Sequence, residues 1–225
     1  MKAMILAAGR GERLRPLTDT LPKPLLKAGG KPLIVHLIER LACAGFNELV
    51  VNLGYLGDKI EQELKDGRAF GVKIFYSREP EEALETGGGI FKALPYLSDP
   101  FLAVNADIAT DFPFQTLPRA LSGLAHLVLV QNPAHHPQGD FALAHGKVGL
   151  EGEKLTFSGI GVYRQALFAG CRPGRFPLAP ILRRAIAQGQ VSGQLYLGFW
   201  SDLGTLERLK AFDRKLRGGE PCACL

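Results

Sequence analysis

Short apolar runs rich in β-branched residues alternate along this chain with segments whose apolar residues recur every three to four positions. No other feature restricts the fold as strongly. The strand-like runs are residues 4–8, 48–53, 72–76, 101–105 and 126–131. Helical periodicity is found over residues 32–44, 56–65, 88–97, 113–121, 178–188 and 205–216. The alternation predicts βαβ units, and therefore an α/β fold with a doubly wound, mostly parallel sheet covered on both faces.

The helical period disappears between about residues 140 and 163. Three short strand-like pieces take its place, at residues 141–144, 154–157 and 159–163. This change predicts a small antiparallel insert that forms one wall of a pocket. A chain of 225 residues is long enough to bury its own core. We therefore expect a single domain over residues 1–225.

Composition and charge narrow the class of partners. The formal net charge of +5 comes without a long basic tract carrying interleaved aromatic residues, which disfavours nucleic acid. The apolar runs are far shorter than the roughly 18 residues that span a bilayer. The run at residues 3–8 is also too short for a signal-peptide core. We expect a cytoplasmic protein with small-molecule substrates and no membrane partner, either a monomer or a small homo-oligomer.

Cysteines and histidines give no metal-binding pattern. The four cysteines lack C-x-x-C spacing, so neither disulfides nor structural zinc is expected. Cys222 to Leu225 formally fit a prenylation box, but the absence of a lysine-rich tract before them favours a chance match. His135 and His136 stand in a Pro/Gly-rich segment without a helical partner four residues away. We expect a surface loop there, not a metal site.

A glycine-containing segment directly after the first predicted strand carries the strongest functional signal. It reads LAAGRGERLRPLT at residues 6–18, followed by PKP at residues 22–24. Gly9 and Gly11 let the backbone approach a phosphate, and Arg13 and Lys23 add cations, although a bare G-x-G is equally compatible with a tight turn. A dinucleotide fingerprint would need glycine at Leu14, and a Walker loop would need Gly-Lys-Ser/Thr. The segment therefore predicts an anion-binding loop of another kind.

Two carboxylates lie in motifs far apart in the chain. Asp107 ends VNAD, residues 104–107, after a buried strand, and Asp202 lies in WSDLGT, residues 200–205. Sheets of this type bind ligands at the carboxyl ends of their strands, and paired carboxylates suit Mg²⁺. Taken alone, Asp107 could cap a strand end, and Asp202 could cap the helix that begins near Thr205.

These segments together resemble the signature of the sugar-phosphate nucleotidyltransferases, G-x-G-(T/S)-R-L-x-P-L-T followed by P-K, with a later W-x-D-I-G-T. Glu12 departs from it, because the family usually has a hydroxyl residue there. The resemblance implies a Rossmann-like nucleotidyltransferase fold and Mg²⁺-dependent transfer of a nucleotidyl group to a sugar 1-phosphate. It implies catalytic roles for Lys23, Arg13, Asp107 and Asp202, with the two aspartates as metal ligands.

The same resemblance implies the remaining substrate contacts. The nucleotide would meet Ala8, Gly9, Gly11, Glu12, Arg13, Lys23, Glu79, Thr86 and Gly87. Glycines at residues 87–89 would let the backbone meet the base edge, unless they only make the start of a helix flexible. The sugar would meet Asn105, Asp140 and Glu153.

Within the family, the segments LETGGGI, VNAD, GDFAL and FSGIGVY most resemble the N-acetylmuramate 1-phosphate uridylyltransferases of bacterial cell-wall recycling. That resemblance implies UTP and N-acetylmuramic acid 1-phosphate as substrates. Mannose-1-phosphate guanylyltransferases and glucose-1-phosphate thymidylyl- or uridylyltransferases remain alternatives. A noncatalytic nucleotide-sugar-binding module is a further alternative, although it would be expected to have lost Lys23 or one of the two aspartates.

Overall fold

A nine-stranded mixed sheet forms the centre of the computed structural model, which describes residues 1–80 and 83–218. The strands are β1 (Ala3–Leu6), β2 (Lys27–Ala28), β3 (Lys31–Pro32), β4 (Glu48–Leu53), β5 (Lys73–Arg78), β6 (Phe101–Asn105), β7 (Ile108–Thr110), β8 (Ala125–Val130), β9 (Phe141–Ala144), β10 (Lys147–Gly149), β11 (Lys154–Tyr163), β12 (Val191–Tyr196) and β13 (Trp200–Asp202). Their order in the large sheet is β5-β4-β1-β6-β11-β8-β12-β10-β9. Strands β2 and β3, and β7 and β13, form two small separate pairs.

One half of the sheet is parallel. Strand β1 pairs in parallel with β4 and β6, and β4 pairs in parallel with β5. Beyond β6 the pairing is mainly antiparallel, because β11 runs against both β6 and β8. The α/β fold that the alternation predicts is confirmed, and its parallel half brings the carboxyl ends of β1, β4 and β6 to one edge.

The α-helices cover both faces of the sheet. They are α1 (Leu17–Thr20), α2 (Leu33–Cys43), α3 (Gly57–Leu64), α4 (Glu85–Ala93), α5 (Ala179–Ala187) and α6 (Leu206–Arg217). Ile5 of β1 packs in one core with residues of α2 and α3, whereas its neighbour Met4 packs in a second core with residues of α4 and α5. Successive residues of a strand point to opposite faces, so a strand between two layers is apolar throughout.

The segment expected to be a separate antiparallel insert is only partly at the edge. Residues 154–155 pair with β9 at the sheet edge, but Ile160 and Val162 pair with β6 in the centre. A register shift between Phe157 and Ile160, with Gly159 at φ 80°, allows one strand to make both pairings. Strand β11 is therefore a central strand of the main sheet, and the insert prediction was wrong for that part.

The helix expected over residues 113–121 is also absent among the described residues. Only a 3₁₀ turn forms there, at Phe114–Thr116. Pro118 explains the difference, because proline lacks an amide hydrogen and disfavours helical geometry at the residue before it.

A third, smaller core docks α6 against the N-terminal segment. Thr205 caps the helix, and the amide of Gly29 donates to Asp213 Oδ1 at 2.8 Å, which lowers the pKa of that carboxyl. The buried residues of this core are Leu14, Leu26, Ala28, Leu33, Ala109, Leu203, Leu209 and Phe212. The helix is thereby fixed to the same loop that carries the glycine motif.

Among residues 1–80 and 83–218, none of the helices has the length and apolar character needed to cross a bilayer. Cys222 and Cys224, with the C-terminal box they form, lie outside the described residues.

The packing of Gly161 gives a test of the central strand. A Cβ at this position would overlap the hydroxyl of Tyr163, which is buried and packs against Phe101. We expect Gly161→Ala to lower the free energy of unfolding by about 1–3 kcal/mol, as overpacking in a core does. Gly149→Ala is the matched control, because its Cβ would meet no atom closer than 3.7 Å. Equal denaturant midpoints for the two variants would contradict this account.

Candidate active site

Two adjoining cavities open at the carboxyl ends of β1, β4 and β6. The first has a volume of about 1070 Å³ and the second about 410 Å³. Arg13, Asn105 and Asp107 line both of them. Ligand cavities commonly measure roughly 300–1,000 Å³, so the pair has room for two substrates. Two ligands placed side by side would meet at these three shared residues.

The glycine loop after β1 lines the first cavity. Gly11 has φ 66°, and the hydroxyl of Thr18 donates to its carbonyl oxygen at 2.9 Å. A Cβ at Gly11 would lie 3.0 Å from atoms of Lys23 and Thr18. A Cβ at Gly9 would meet no protein atom within 4 Å. Gly11 is therefore required by the backbone and its neighbours, whereas the missing side chain of Gly9 leaves space in the cavity itself.

Lys23 lies under this loop and is almost completely buried. Its Nζ is 2.5 Å from Oδ2 of Asp107, across 84 residues of sequence. A buried ammonium group requires a charged or hydrogen-bonded partner, and here that partner lines both cavities. The pair places one positive and one negative group where the two ligands would meet.

The two predicted metal ligands are neighbours in space. Asp202 of β13 pairs with Ile108 of β7, and the amide of Leu203 donates to the carbonyl oxygen of Asp107 at 2.7 Å. Asp107 directly precedes Ile108 and bonds the backbone of the residue that follows Asp202, so the backbones of the two aspartates are adjacent. Both line the second cavity.

The two carboxylate oxygens of Asp202 have different hydrogen-bond partners. Its Oδ1 accepts from Arg208 Nη2 at 2.6 Å and from the Gly204 amide at 3.3 Å. Its Oδ2 is buried and has no hydrogen-bond donor among the described residues. His135 Nε2 lies 2.7 Å from Oδ2, outside hydrogen-bonding geometry. The imidazole forms an ion pair with this oxygen only when it is protonated, and a buried carboxylate oxygen that accepts no hydrogen bond fits a hard divalent cation.

The structure brings most of the predicted residues to the cavities. Those at the first cavity are Ala8, Gly9, Gly11, Glu12, Arg13, Lys23, Glu79, Thr86, Asn105 and Asp107. Those at the second are Arg13, Asn105, Asp107, Asp140 and Asp202. No cluster of three or more His, Cys, Asp or Glu residues suited to a metal occurs in the described part of the chain. A cation held by Asp107 and Asp202 would therefore take water or substrate oxygens as further ligands.

Gly87 and Glu153 do not line either cavity. Gly87 lies in α4, where a Cβ would come within 2.6 Å of the Phe176 ring. A Cβ at Gly88 would overlap the carbonyl oxygen of Gly174. These two glycines therefore allow α4 to pack against residues 174–176, and the contact of Gly87 with a base stays a prediction. Glu153 is exposed in the bend before β11.

Asn52 is a site residue that the sequence interpretation missed. Its Oδ1 accepts from the Ala7 amide at 2.7 Å, and its Nδ2 donates to Glu79 Oε1 at 2.6 Å. The other oxygen of Glu79 accepts from the Leu84 amide at 2.9 Å. Asn52 and Glu79 therefore link the start of the glycine loop to the start of α4 through hydrogen bonds. A polar residue near the end of an otherwise apolar strand was the available signal, as it was for Asn105.

The loop at His135 and His136 lines the second cavity, although no metal cluster forms there. His136 Nε2 is 3.2 Å from Asp140 Oδ1, and Asp140 Oδ2 accepts from the Phe157 amide at 2.8 Å. Asp140 therefore fastens this loop to β11 in addition to facing the cavity. Nothing in the local sequence marks this arrangement, because β11 is contributed by the main sheet.

Comparison with known proteins gives consistent matches. A family model described as nucleotidyl transferase matches residues 2–143. The N-acetylmuramate alpha-1-phosphate uridylyltransferase of Neisseria meningitidis serogroup B is 53% identical over 221 residues, covering 93% of this chain and 96% of the relative. The enzyme of the same name from Caulobacter vibrioides is 34% identical and covers 95% and 96%.

A solved structure supports the same architecture. A Bacillus anthracis protein, assigned as a glucose-1-phosphate thymidylyltransferase and crystallised with sucrose, matches with a TM-score of 0.86. The match covers 96% of this chain and 95% of that one at 22% identity. At this identity the match establishes the fold alone.

Gly9 offers a test that separates ligand contact from folding. We expect Gly9→Ala to leave the thermal unfolding temperature unchanged, because its Cβ meets no protein atom. Binding of a nucleoside triphosphate, measured by titration calorimetry, should weaken by roughly tenfold or more, which corresponds to about 1.4 kcal/mol of steric conflict. Gly11→Ala should impair both properties, because that position has φ 66°. Unchanged nucleotide affinity in Gly9→Ala would contradict the assignment of this loop to the nucleotide-binding site.

Proposed function

The chain belongs to the nucleotidyl transferase family, and from this membership we propose that it transfers a uridylyl group from UTP to N-acetylmuramic acid 1-phosphate. The products are UDP-N-acetylmuramic acid and pyrophosphate. The observation that carries the proposal is the Neisseria relative of this activity, which matches along nearly the full length of both chains. The reaction would serve peptidoglycan recycling in the cytoplasm.

The two cavities provide a separate place for each substrate. The first contains the glycine loop with its cations and suits UTP. The second contains Asp140, Trp200 and the histidine loop and suits the sugar. Arg13, Asn105 and Asp107 lie between them, where the sugar phosphate would meet the α-phosphate of UTP. Both substrates are small molecules, and the proposal includes no nucleic acid and no membrane.

Asp107 and Asp202 are the residues that would hold Mg²⁺. The hydrogen bond between the backbones of Leu203 and Asp107 keeps the two aspartates close, and Oδ2 of Asp202 accepts no hydrogen bond from the described residues, which fits a hard cation. When bound, Mg²⁺ supplies positive charge to the phosphate oxygens. Lys23 would share this task, because its Nζ contacts the carboxylate of Asp107, which would also contact the metal.

The chemistry requires no general base from the protein. The second pKa of a phosphate monoester is about 6, so the attacking group is mostly a dianion at neutral pH. One of its oxygens forms a bond to the α-phosphorus of UTP, and the bond from that phosphorus to the β-phosphate bridging oxygen breaks. Pyrophosphate leaves with the electron pair. The barrier is repulsion between anions, and Lys23, Arg13 and the loop amides lower it by neutralising the developing charge.

Substrate choice tests this function directly. We expect pyrophosphate release to be fastest with UTP and N-acetylmuramic acid 1-phosphate, when four nucleoside triphosphates are crossed with the muramate, N-acetylglucosamine, glucose and mannose 1-phosphates. A site that hydrogen-bonds a substrate group rejects an analogue lacking that group strongly. Preference for GTP with mannose 1-phosphate, or faster turnover of glucose 1-phosphate, would refute the specific assignment.

Lys23 tests the mechanism. We expect Lys23→Ala to lower kcat by on the order of 10² or more with a modest change in KM, because its charge acts mainly on the transition state. Lys27→Ala, which removes an exposed lysine four residues later, is the control and should retain the activity of the wild type. A change confined to KM would make Lys23 a ground-state binding residue instead.

A further inference from the structure

Arg208 holds Asp202 by two hydrogen bonds from one guanidinium group. Its Nη2 donates to Asp202 Oδ1 at 2.6 Å, and its Nε donates to the Asp202 carbonyl oxygen at 2.8 Å. The side chain and the backbone of the same aspartate are therefore fixed together. Within the described part of the chain, Arg208 is not among the residues that line either cavity. Any influence on the reaction passes through Asp202.

Gly204 makes room for this arrangement. A Cβ at Gly204 would lie 2.8 Å from three atoms, Arg208 Nη2, Arg13 Nη2 and Asp202 Oδ1. Because Gly204 has no side chain, Arg208 can contact Asp202 while Arg13 lines both cavities. Both guanidinium groups thus use the space that a side chain at residue 204 would fill.

Arg208 extends from a well-fixed support. It lies in the first turn of α6, where its amide donates to the hydroxyl of the N-cap Thr205 at 3.4 Å. The next residue, Leu209, and Phe212 are buried in the small core that also contains Leu14 of the glycine loop. The guanidinium group therefore has a defined position relative to both halves of the site.

We infer that Arg208 is a positioning residue for the divalent cation. By occupying Oδ1 of Asp202, it leaves Oδ2 as the oxygen that binds the cation, because in the described part of the chain Oδ2 is buried, accepts no hydrogen bond and has only His135 Nε2 beside it, at 2.7 Å. This inference rests on the proposed function, which assigns Asp202 to the metal. Groups that orient a ligand in this way typically change metal affinity by 10–100-fold when they are removed.

A purely structural role for this ion pair predicts a different result. The side chains of Arg208 and Asp202 are 22% and 19% exposed, so their pairing also contributes to the docking of α6. If this were the only role, removing Arg208 would lower the unfolding temperature and leave the metal affinity of the folded protein unchanged. Metal affinity and thermal stability must therefore be measured on the same variants.

The experiment measures Mn²⁺ binding to the full chain by electron paramagnetic resonance of the free ion, without nucleotide. Arg208→Met should weaken Mn²⁺ binding by roughly 10–100-fold. Arg208→Lys should also weaken it, because one ammonium group cannot reproduce the planar fork that bonds Oδ1 and the carbonyl oxygen together. Asp202→Asn gives the Mn²⁺ affinity of a protein that lacks the proposed metal-binding carboxylate. Arg214→Met, an exposed arginine of the same helix, is the matched control and should bind as the wild type does.

Each result separates the possibilities. Wild-type Mn²⁺ affinity in folded Arg208→Met overturns the inference. If Arg208→Met does not fold, wild-type Mn²⁺ affinity in Arg208→Lys overturns it instead. Equal Mn²⁺ affinity in the wild type and Asp202→Asn overturns the metal assignment itself, and the positioning role with it. The substrate preferences are measured independently, so the proposed transfer from UTP to the muramate is judged by that experiment alone.

Discussion

The contact between Lys23 and Asp107 is the interaction on which the site depends. Its distance of 2.5 Å joins the segment after the glycine loop to the turn after a central parallel strand. Lys23 is almost completely buried and would be costly to bury without a partner, whereas Asp107 is 34% exposed. The pair also determines where charge is placed, because Asp107 faces both cavities. A reaction limited by repulsion between phosphates needs positive charge at this point.

A second set of contacts links the site to α6. Asp202 reaches Asp107 through the small β7–β13 ladder, and Arg208 ties Asp202 to α6. The third core then packs α6 against Leu14 of the glycine loop. The two aspartates and the glycine loop are thus held by one continuous set of contacts. Catalysis by positioned charges requires such rigidity, because a displaced charge loses most of its effect on the transition state.

Glycine shows how the same residue type serves different purposes in this protein. Gly9 leaves space for a ligand, Gly11 adopts a left-handed backbone, and Gly88 lets a helix pack against a distant loop. The sequence presents all three as glycine-rich motifs next to a predicted strand or helix. Only the neighbours in space separate them, because the demand for glycine comes from whatever atom would occupy the position of Cβ.

The sequence alone determined the α/β class, the first half of the sheet and the residues around the two cavities, because these depend on short-range periodicity and on motifs of adjacent residues. Tertiary structure decided what depends on strand pairing over long distances. In the structure β11 lies in the centre of the sheet, and Gly87 and Glu153 do not line the cavities. Asn52 and the histidine loop line them instead. No local pattern marks a residue such as Arg208 as the partner of a particular carboxylate. That pairing exists because the third core fixes α6 against the loop, and such packing has no signal in a window of neighbouring residues.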